Sequence, residues 1–196
     1  MRILIACEFS GTVRDAFKAR GHDVWSCDLL PTEKPGNHVI GDVFSIINDG
    51  WDMMIAFPTC TYLTVSANKW YKDQPERKSG TLVGEARREA RREAIKFFMD
   101  LYNCEIPVVA LENPIGVMSS VFRKPDQVLQ PWMFGHGETK ATCLWLKDLP
   151  KLNPTNIVDG RVQRLHLLPK TPERAMLRSK TFPGIASAMA NQWGNN

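Results

Sequence analysis

Two short stretches of this chain end in side chains suited to covalent and proton chemistry. One is Ile55-Ala56-Phe57-Pro58-Thr59-Cys60, the other Val108-Val109-Ala110-Leu111-Glu112-Asn113-Pro114. Each reads as a buried strand that stops at a proline and delivers one reactive group at its carboxyl end. In open α/β sheets that edge is where ligands bind. A thiolate is a nucleophile, and a carboxylate at the same edge can hold or pass a proton. Cys60 then needs a lowered pKa or a nearby proton acceptor.

Such a pair works only if a core holds it. The chain has 196 residues, 43% of them hydrophobic and 23% charged, which suits one globular domain, residues 1–196. No apolar run approaches the roughly 18 residues of a membrane helix. The start, Met1-Arg2-Ile3-Leu4-Ile5-Ala6, is too short for a signal peptide and soon meets Glu8. These features predict a cytoplasmic protein with no membrane partner. Cys7, Cys27, Cys60, Cys104 and Cys143 are odd in number and form no C-x-x-C pair, so neither a zinc site nor a disulfide framework is expected. His22, His38, His136 and His166 are scattered without metal-ligand spacing, and no metal is expected. The net charge of +4 is compatible with nucleic acid but weak evidence alone. Arg87, Arg88, Arg91 and Arg92 alternate with Glu85, Glu89 and Glu93, the pattern of a solvated helix face.

The positioning elements follow from periodicity. Arg2 to Cys7 predicts a first strand. Ser10-Gly11-Thr12 opens a helix over Val13 to Arg20, closed by Gly21. Further strands are expected at Val24–Cys27, Val39–Ile40, Asp52–Phe57, Pro107–Leu111 and Ala141–Leu146. A long helix is expected over Thr81–Asn103 and a closing one over Ile185–Trp193. Thr61–Gly80 reads as a surface loop, with Tyr62, Trp70 and Tyr71 beside Lys69 and Lys72 as candidates to stack on bases or cover a pocket. Pro114–Pro131 reads as a loop with a short helix, and Lys151–Arg178 as proline-rich and basic. Trp132, Trp145 and Trp193 are expected to pack in the core or at strand ends. Strands alternating with helices imply a mostly parallel, three-layer α/β sheet.

On these residues the chain resembles the DNA cytosine carbon-5 methyltransferase family, in a compact form of a kind found in phages. The resemblance implies a Rossmann-like fold of the S-adenosylmethionine-dependent methyltransferase type. Its cofactor turn matches Phe9-Ser10-Gly11-Thr12-Val13. Its ribose-binding acid matches Asp28, followed by Leu29, and its acid near the adenine matches Asp42. Its proline-cysteine element matches Pro58-Thr59-Cys60, and its Glu-Asn-Val motif resembles Glu112-Asn113-Pro114. Phe182-Pro183-Gly184-Ile185-Ala186 resembles the final motif. The resemblance thus implies S-adenosylmethionine as cofactor, held by Phe9, Ser10, Gly11, Thr12, Asp28, Leu29, Asp42 and Pro58. It makes Cys60 the nucleophile toward carbon 6, Glu112 the residue holding the ring nitrogen and its proton, and Asn113 the residue orienting the loop. In duplex DNA the base must first be flipped out.

The match has departures. Val13 stands where the family has a second glycine, and Pro-Thr-Cys-Thr replaces Pro-Pro-Cys-Gln. The Gln-Arg-Arg motif is absent, with Lys140 in Glu138-Thr139-Lys140 as its nearest candidate cation. Residues 147–178 form only a reduced insert in place of a target-recognition region. These departures keep two alternatives open: a non-catalytic protein of the same fold that sequesters a nucleotide or signalling molecule, and an enzyme acting on RNA or a free nucleotide. The sequence sets neither the target nor the oligomeric state.

Overall fold

The computed structural model describes residues 1–169, 171 and 173–195, and every side chain among them except those of Ser66 and His166. Residues 170 and 172 of the expected insert, the side chain of His166, and Asn196 lie outside the described residues. The chain is an α/β protein built on a seven-stranded, mostly parallel mixed sheet of Rossmann-like form. Its strands are β1 (Arg2–Ala6), β2 (Asp23–Asp28), β3 (His38–Ile40), β4 (Met53–Ala56), β5 (Val108–Pro114), β6 (Gln127–Leu129) and β7 (Thr142–Lys147). They lie in the order β3-β2-β1-β4-β5-β7-β6. The first five are parallel; β7 runs antiparallel to both β5 and β6. The order reverses between β1 and β4, which opens a crevice at their carboxyl ends.

The helices are α1 (Thr12–Lys18), α2 (Gly84–Tyr102), α3 (Met118–Val121), α4 (Arg164–Leu167), α5 (Glu173–Ser179) and α6 (Pro183–Trp193). Central strands buried on both faces need apolar residues at every position, and β4 is buried throughout as Met-Met-Ile-Ala. One face packs Ile3, Ile5 and Ile55 against Phe17 of α1 and Ile185, Met189 and Trp193 of α6. The other packs Leu4, Met54 and Leu111 against Phe98 and Leu101 of α2. Trp145 closes that layer edge-on to Phe98, with ring centroids 5.2 Å apart. Trp145 and Trp193 are fully buried, whereas Trp132 is half-buried beneath Arg161.

Several expectations need correcting. The expected loop Pro114–Pro131 contains β6 as well as α3, because Gln127–Leu129 finds a partner in β7. The basic stretch contains α4 and α5, two short helices that weak periodicity concealed. Thr61–Gly80 holds 3₁₀ turns over Val65–Tyr71. The arginines of α2 divide between two faces. Arg88 and Arg92 pair with Glu85 and Glu89 in solvent, while Arg87 is buried and Arg91 turns inward to the Tyr62 carbonyl. No helix among the described residues is long and apolar enough to cross a membrane.

Candidate active site

Strand register sets the level of the reactive groups. Ala6, Ala56 and Leu111 stand side by side across β1, β4 and β5. Glu112 is therefore one residue beyond that level, and Cys60 lies four residues past the end of β4. Successive strand side chains point to opposite faces. Glu112 accordingly reaches toward α6, lining a water-sized cavity of about 10 Å³ with Phe57, Lys140, Thr142, Phe182 and Ile185. Asn113 points the other way and donates Nδ2 to the Pro58 carbonyl at 2.7 Å in a buried bond. That bond ties the end of β5 to the cysteine loop.

A second tie follows. Thr64 bridges to Gly116, and the Val117 amide donates to the Leu63 carbonyl at 2.8 Å. A side chain at Gly116 would collide with that carbonyl, so only glycine permits the approach. The loop itself turns tightly, because the amides of Leu63 and Thr64 both donate to the Cys60 carbonyl at 3.0 Å.

The electrostatics tie Cys60, Glu112 and Lys140 into one group. Burial raises the Glu112 carboxyl above the usual carboxylate range, while Lys140 and a Thr142 hydrogen bond pull it back. Desolvation of the Cys60 sulfur and the nearby Glu112 raise the thiol; Lys140 and Arg178 oppose them. The lowered thiol pKa that a resting nucleophile would need is thus not present. Cys60 is nonetheless exposed, so a partner can reach it. Lys140 is held by its amide, which donates to Gln130 Oε1 at 3.0 Å, and by Nζ, which donates to the Lys180 carbonyl at 3.4 Å.

Beside this group lies a cleft of about 270 Å³, lined by Cys7, Cys27, Asp28, Leu29, Gly41, Asp42, Val43, Thr59 and Phe97. Asp28 and Asp42 meet there, and each also accepts an amide two residues on, from Leu30 at 2.9 Å and Phe44 at 3.0 Å. Leu29 is 76% exposed at the cleft, an apolar surface available to a ligand. No Lys or Arg among the described residues lines the cleft. Compared with known proteins, the chain matches no family model and no curated sequence.

The turn after β1 is arranged differently from the expectation. Phe9, Ser10, Gly11 and Thr12 do not line the cleft. Gly11 is left-handed at φ 67° and caps α1, but three amides at this turn and the helix start are already occupied. Val13 and Arg14 donate to the Glu8 carboxylate at 2.7 and 3.3 Å, and Thr12 donates to Ser10 Oγ at 3.2 Å. Glu8 is a buried carboxyl folded onto the start of the helix, 5% exposed, its pKa raised by burial against the pull of its hydrogen bonds. The Phe9 carbonyl accepts from the Glu33 amide at 2.9 Å. Pro58 is buried and contributes its carbonyl to Asn113, while its neighbour Thr59 faces the cleft.

Sequence reasoning missed Glu8, Cys7 and Arg14. Cys7 sits at φ 57° at the switch point, a left-handed conformation that is uncommon outside glycine and often marks a functional site. Burial, then Asp28, pushes its thiol up to about 12. Arg14 is fully buried and donates to Ser26, Thr32 and the carbonyls of Lys34 and Pro35. It pins the loop that follows β2, and with it the position of Asp28. An arginine so close to a helix start was legible only as a surface charge.

Proposed function

We propose that this chain is an S-adenosylmethionine-dependent methyltransferase acting on carbon 5 of cytosine in DNA through a covalent Cys60 adduct. The observation that carries the reading is the grouping of Cys60, Glu112 and Lys140 at one sheet edge, next to a cleft lined by two carboxylates and, among the described residues, no cation. A seven-stranded sheet with one reversed strand is compatible with the methyltransferase type implied by the resemblance.

The cleft suits the cofactor chemically. Asp28 can accept from ribose hydroxyls, Leu29 and Phe97 offer apolar surface to an adenine, and the acidic lining favours a cation over an anion. Bound there, S-adenosylmethionine would supply an electrophilic methyl group on a positively charged sulfur. The same field disfavours phosphates, and Glu8 already fills the helix start where a phosphate would otherwise bind. This weighs against the reading of the chain as a sequestering protein for a nucleotide.

The protein's own groups then divide the work. The Cys60 sulfur adds to carbon 6 of the pyrimidine, forming a carbon–sulfur bond and pushing electron density toward carbon 5 and the ring nitrogen. Glu112, raised in pKa, is suited to carry a proton and share it with that nitrogen as the negative charge develops. Lys140 supplies a cation beside both groups. Asn113, through Pro58, holds the loop in register. Once carbon 5 carries the methyl group, loss of its proton to solvent and expulsion of the Cys60 thiolate would restore the aromatic ring.

Calorimetric titration of S-adenosylmethionine tests the first half. Asp28→Ala should weaken binding roughly 10- to 100-fold, the usual cost of a lost charge-assisted hydrogen bond. Transfer of labelled methyl to cytosine-containing DNA tests the second half, and should vanish in Cys60→Ala. A folded protein without cofactor affinity, or transfer that survives Cys60→Ala, refutes the reading.

A further inference from the structure

The net positive charge of the chain lies in one stretch of sequence. Residues 151–180 hold seven Lys or Arg and two acids, Asp159 and Glu173, for a net +5 against +4 for the whole chain; Lys170 lies outside the described residues, and Arg164 and Lys180 pair with Glu138 and Glu33, which leaves Lys151, Arg161 and Arg178 as its exposed cations without an acidic partner among the described residues. The rest of the molecule is therefore slightly acidic. This segment starts beside the end of α6, where the Asn153 amide donates to Gln192 Oε1 at 2.8 Å. It climbs along the loop before β7, with Asn156 bridging Phe134 and Val162 bridging Glu138. It ends at the carboxyl edge of the sheet, where Lys180 meets Glu33 at 2.7 Å and Arg178 acts on the Cys60 thiol. The charge thus runs up to the mouth of the candidate site.

The loop that leaves Cys60 adds an aromatic surface. Tyr62 and Tyr71 are engaged within the fold: Arg87 lies over both rings and Arg91 lies 3.5 Å over Tyr71. Tyr71 also donates its hydroxyl to the Tyr62 carbonyl. Trp70 differs. It is half-buried, and its attendants Lys69 and Arg77, at 4.6 and 3.9 Å from the ring, are both exposed. An aromatic ring beside solvated cations can stack on a base while the cations meet its phosphates.

We propose that the polymer presented to this site is single-stranded nucleic acid, held through its phosphates by residues 151–180 and through a stacked base by Trp70. The inference rests on the proposed function for what enters the Glu112 pocket. A target in a duplex must be pulled from its stack at a cost of a few kcal/mol, and duplex readers commonly lay a helix in the major groove. The helices of the basic segment span only four and seven residues. The long helix α2 commits Arg88 and Arg92 to Glu85, Glu89 and Asp73. One charged track plus one stacking platform matches one strand with splayed bases.

The test is fluorescence anisotropy with a labelled deoxyoligonucleotide of about 20 nucleotides, single-stranded and as its own duplex, a length sufficient for one such track. The single strand should bind more tightly than the duplex. If about four phosphates are contacted, affinity should fall roughly 50-fold between about 50 and about 200 mM salt. Trp70→Ala should weaken single-strand binding about tenfold, with Trp70→Phe restoring most of it. Lys151→Ala with Arg178→Ala, both exposed, should flatten the salt dependence by about two phosphates' worth. A duplex bound as tightly as the single strand, or no salt dependence, overturns the proposal. Cofactor titration of the same preparation separates the two claims. Single-strand preference without cofactor affinity sinks methyl transfer and leaves this proposal standing; cofactor affinity with duplex preference does the reverse.

Discussion

Replacing Glu112 by glutamine should destroy activity and stabilise the protein. Glu112 pays a desolvation cost at the sheet edge that Lys140 and Thr142 do not fully offset, since its carboxyl is raised overall. The folded state therefore binds this proton more tightly than the unfolded state does. Stability from Glu112 is fully present below its unfolded value of 4.5. It is lost as pH rises from there through the folded pKa. Glutamine has the same shape, keeps an acceptor for Thr142 and carries no charge at any pH. Lys140 loses a coulombic attraction rather than a direct ion pair, and even a partly exposed ion pair contributes only about 0–1 kcal/mol. Relief of the buried charge should win by about 1 kcal/mol, within the usual gain from removing functional strain. At this chain length that is a rise of about 2–4 °C in melting temperature. Paired thermal melts of the two proteins from about pH 4 to about pH 8 would read it. The difference should be near zero at the acid end and grow with pH, since only the glutamate is ionising. A Glu112→Gln protein less stable at neutral pH, or a difference that ignores pH, would show that burial does not dominate at Glu112.

Cys60 should alkylate slowly with iodoacetamide at neutral pH and faster as pH rises, because its thiol is raised. In Glu112→Gln the rate at about pH 8 should increase, since a repelling carboxylate is gone; an unchanged rate would uncouple the two residues. Asn113→Ala should cost about 1–3 kcal/mol in urea unfolding, because it strands the buried Pro58 carbonyl. It should also lower kcat more than cofactor affinity, and equal losses would refute its role in positioning the cysteine loop. Gly116→Ala should destabilise by a few kcal/mol, since the Leu63 carbonyl occupies the space its methyl needs; a melt within 1 °C or so of wild type would show that the loop can move aside.

The parallel half of the sheet was legible because each strand is a short apolar run closed by Gly, Pro or Asp. Asp28, Asp42, Cys60 and Glu112 were legible for a related reason: reactive types placed at predicted strand ends land on one edge. The reversed pair was only half visible. Gln127-Val128-Leu129 is too short and mixed to announce a strand, and exists because β7 offers it backbone partners. The turn after β1 was read as donors for a ligand, yet Glu8 takes those donors. A carboxylate three residues before a glycine turn carries no local signature of folding back onto the helix start. Arg87 was misplaced, and Arg14 missed, for the same reason. Their burial depends on carbonyls contributed by distant loops, at Lys34 and Pro35 for one and at Thr61 and Leu82 for the other.

Two electrostatic fields of opposite sign share the carboxyl edge of this sheet. Asp28 and Asp42 make the cleft acidic, while Lys140 and Arg178 make the neighbouring rim basic. A single anionic ligand would be attracted to one and repelled by the other. A cationic small molecule in the cleft and a polyanion along the rim satisfy both at once. A cation brought close to Cys60 also favours its thiolate, which burial and Glu112 oppose. Under the proposed function, thiol activation would then be coupled to occupancy of the cleft by a cationic methyl donor.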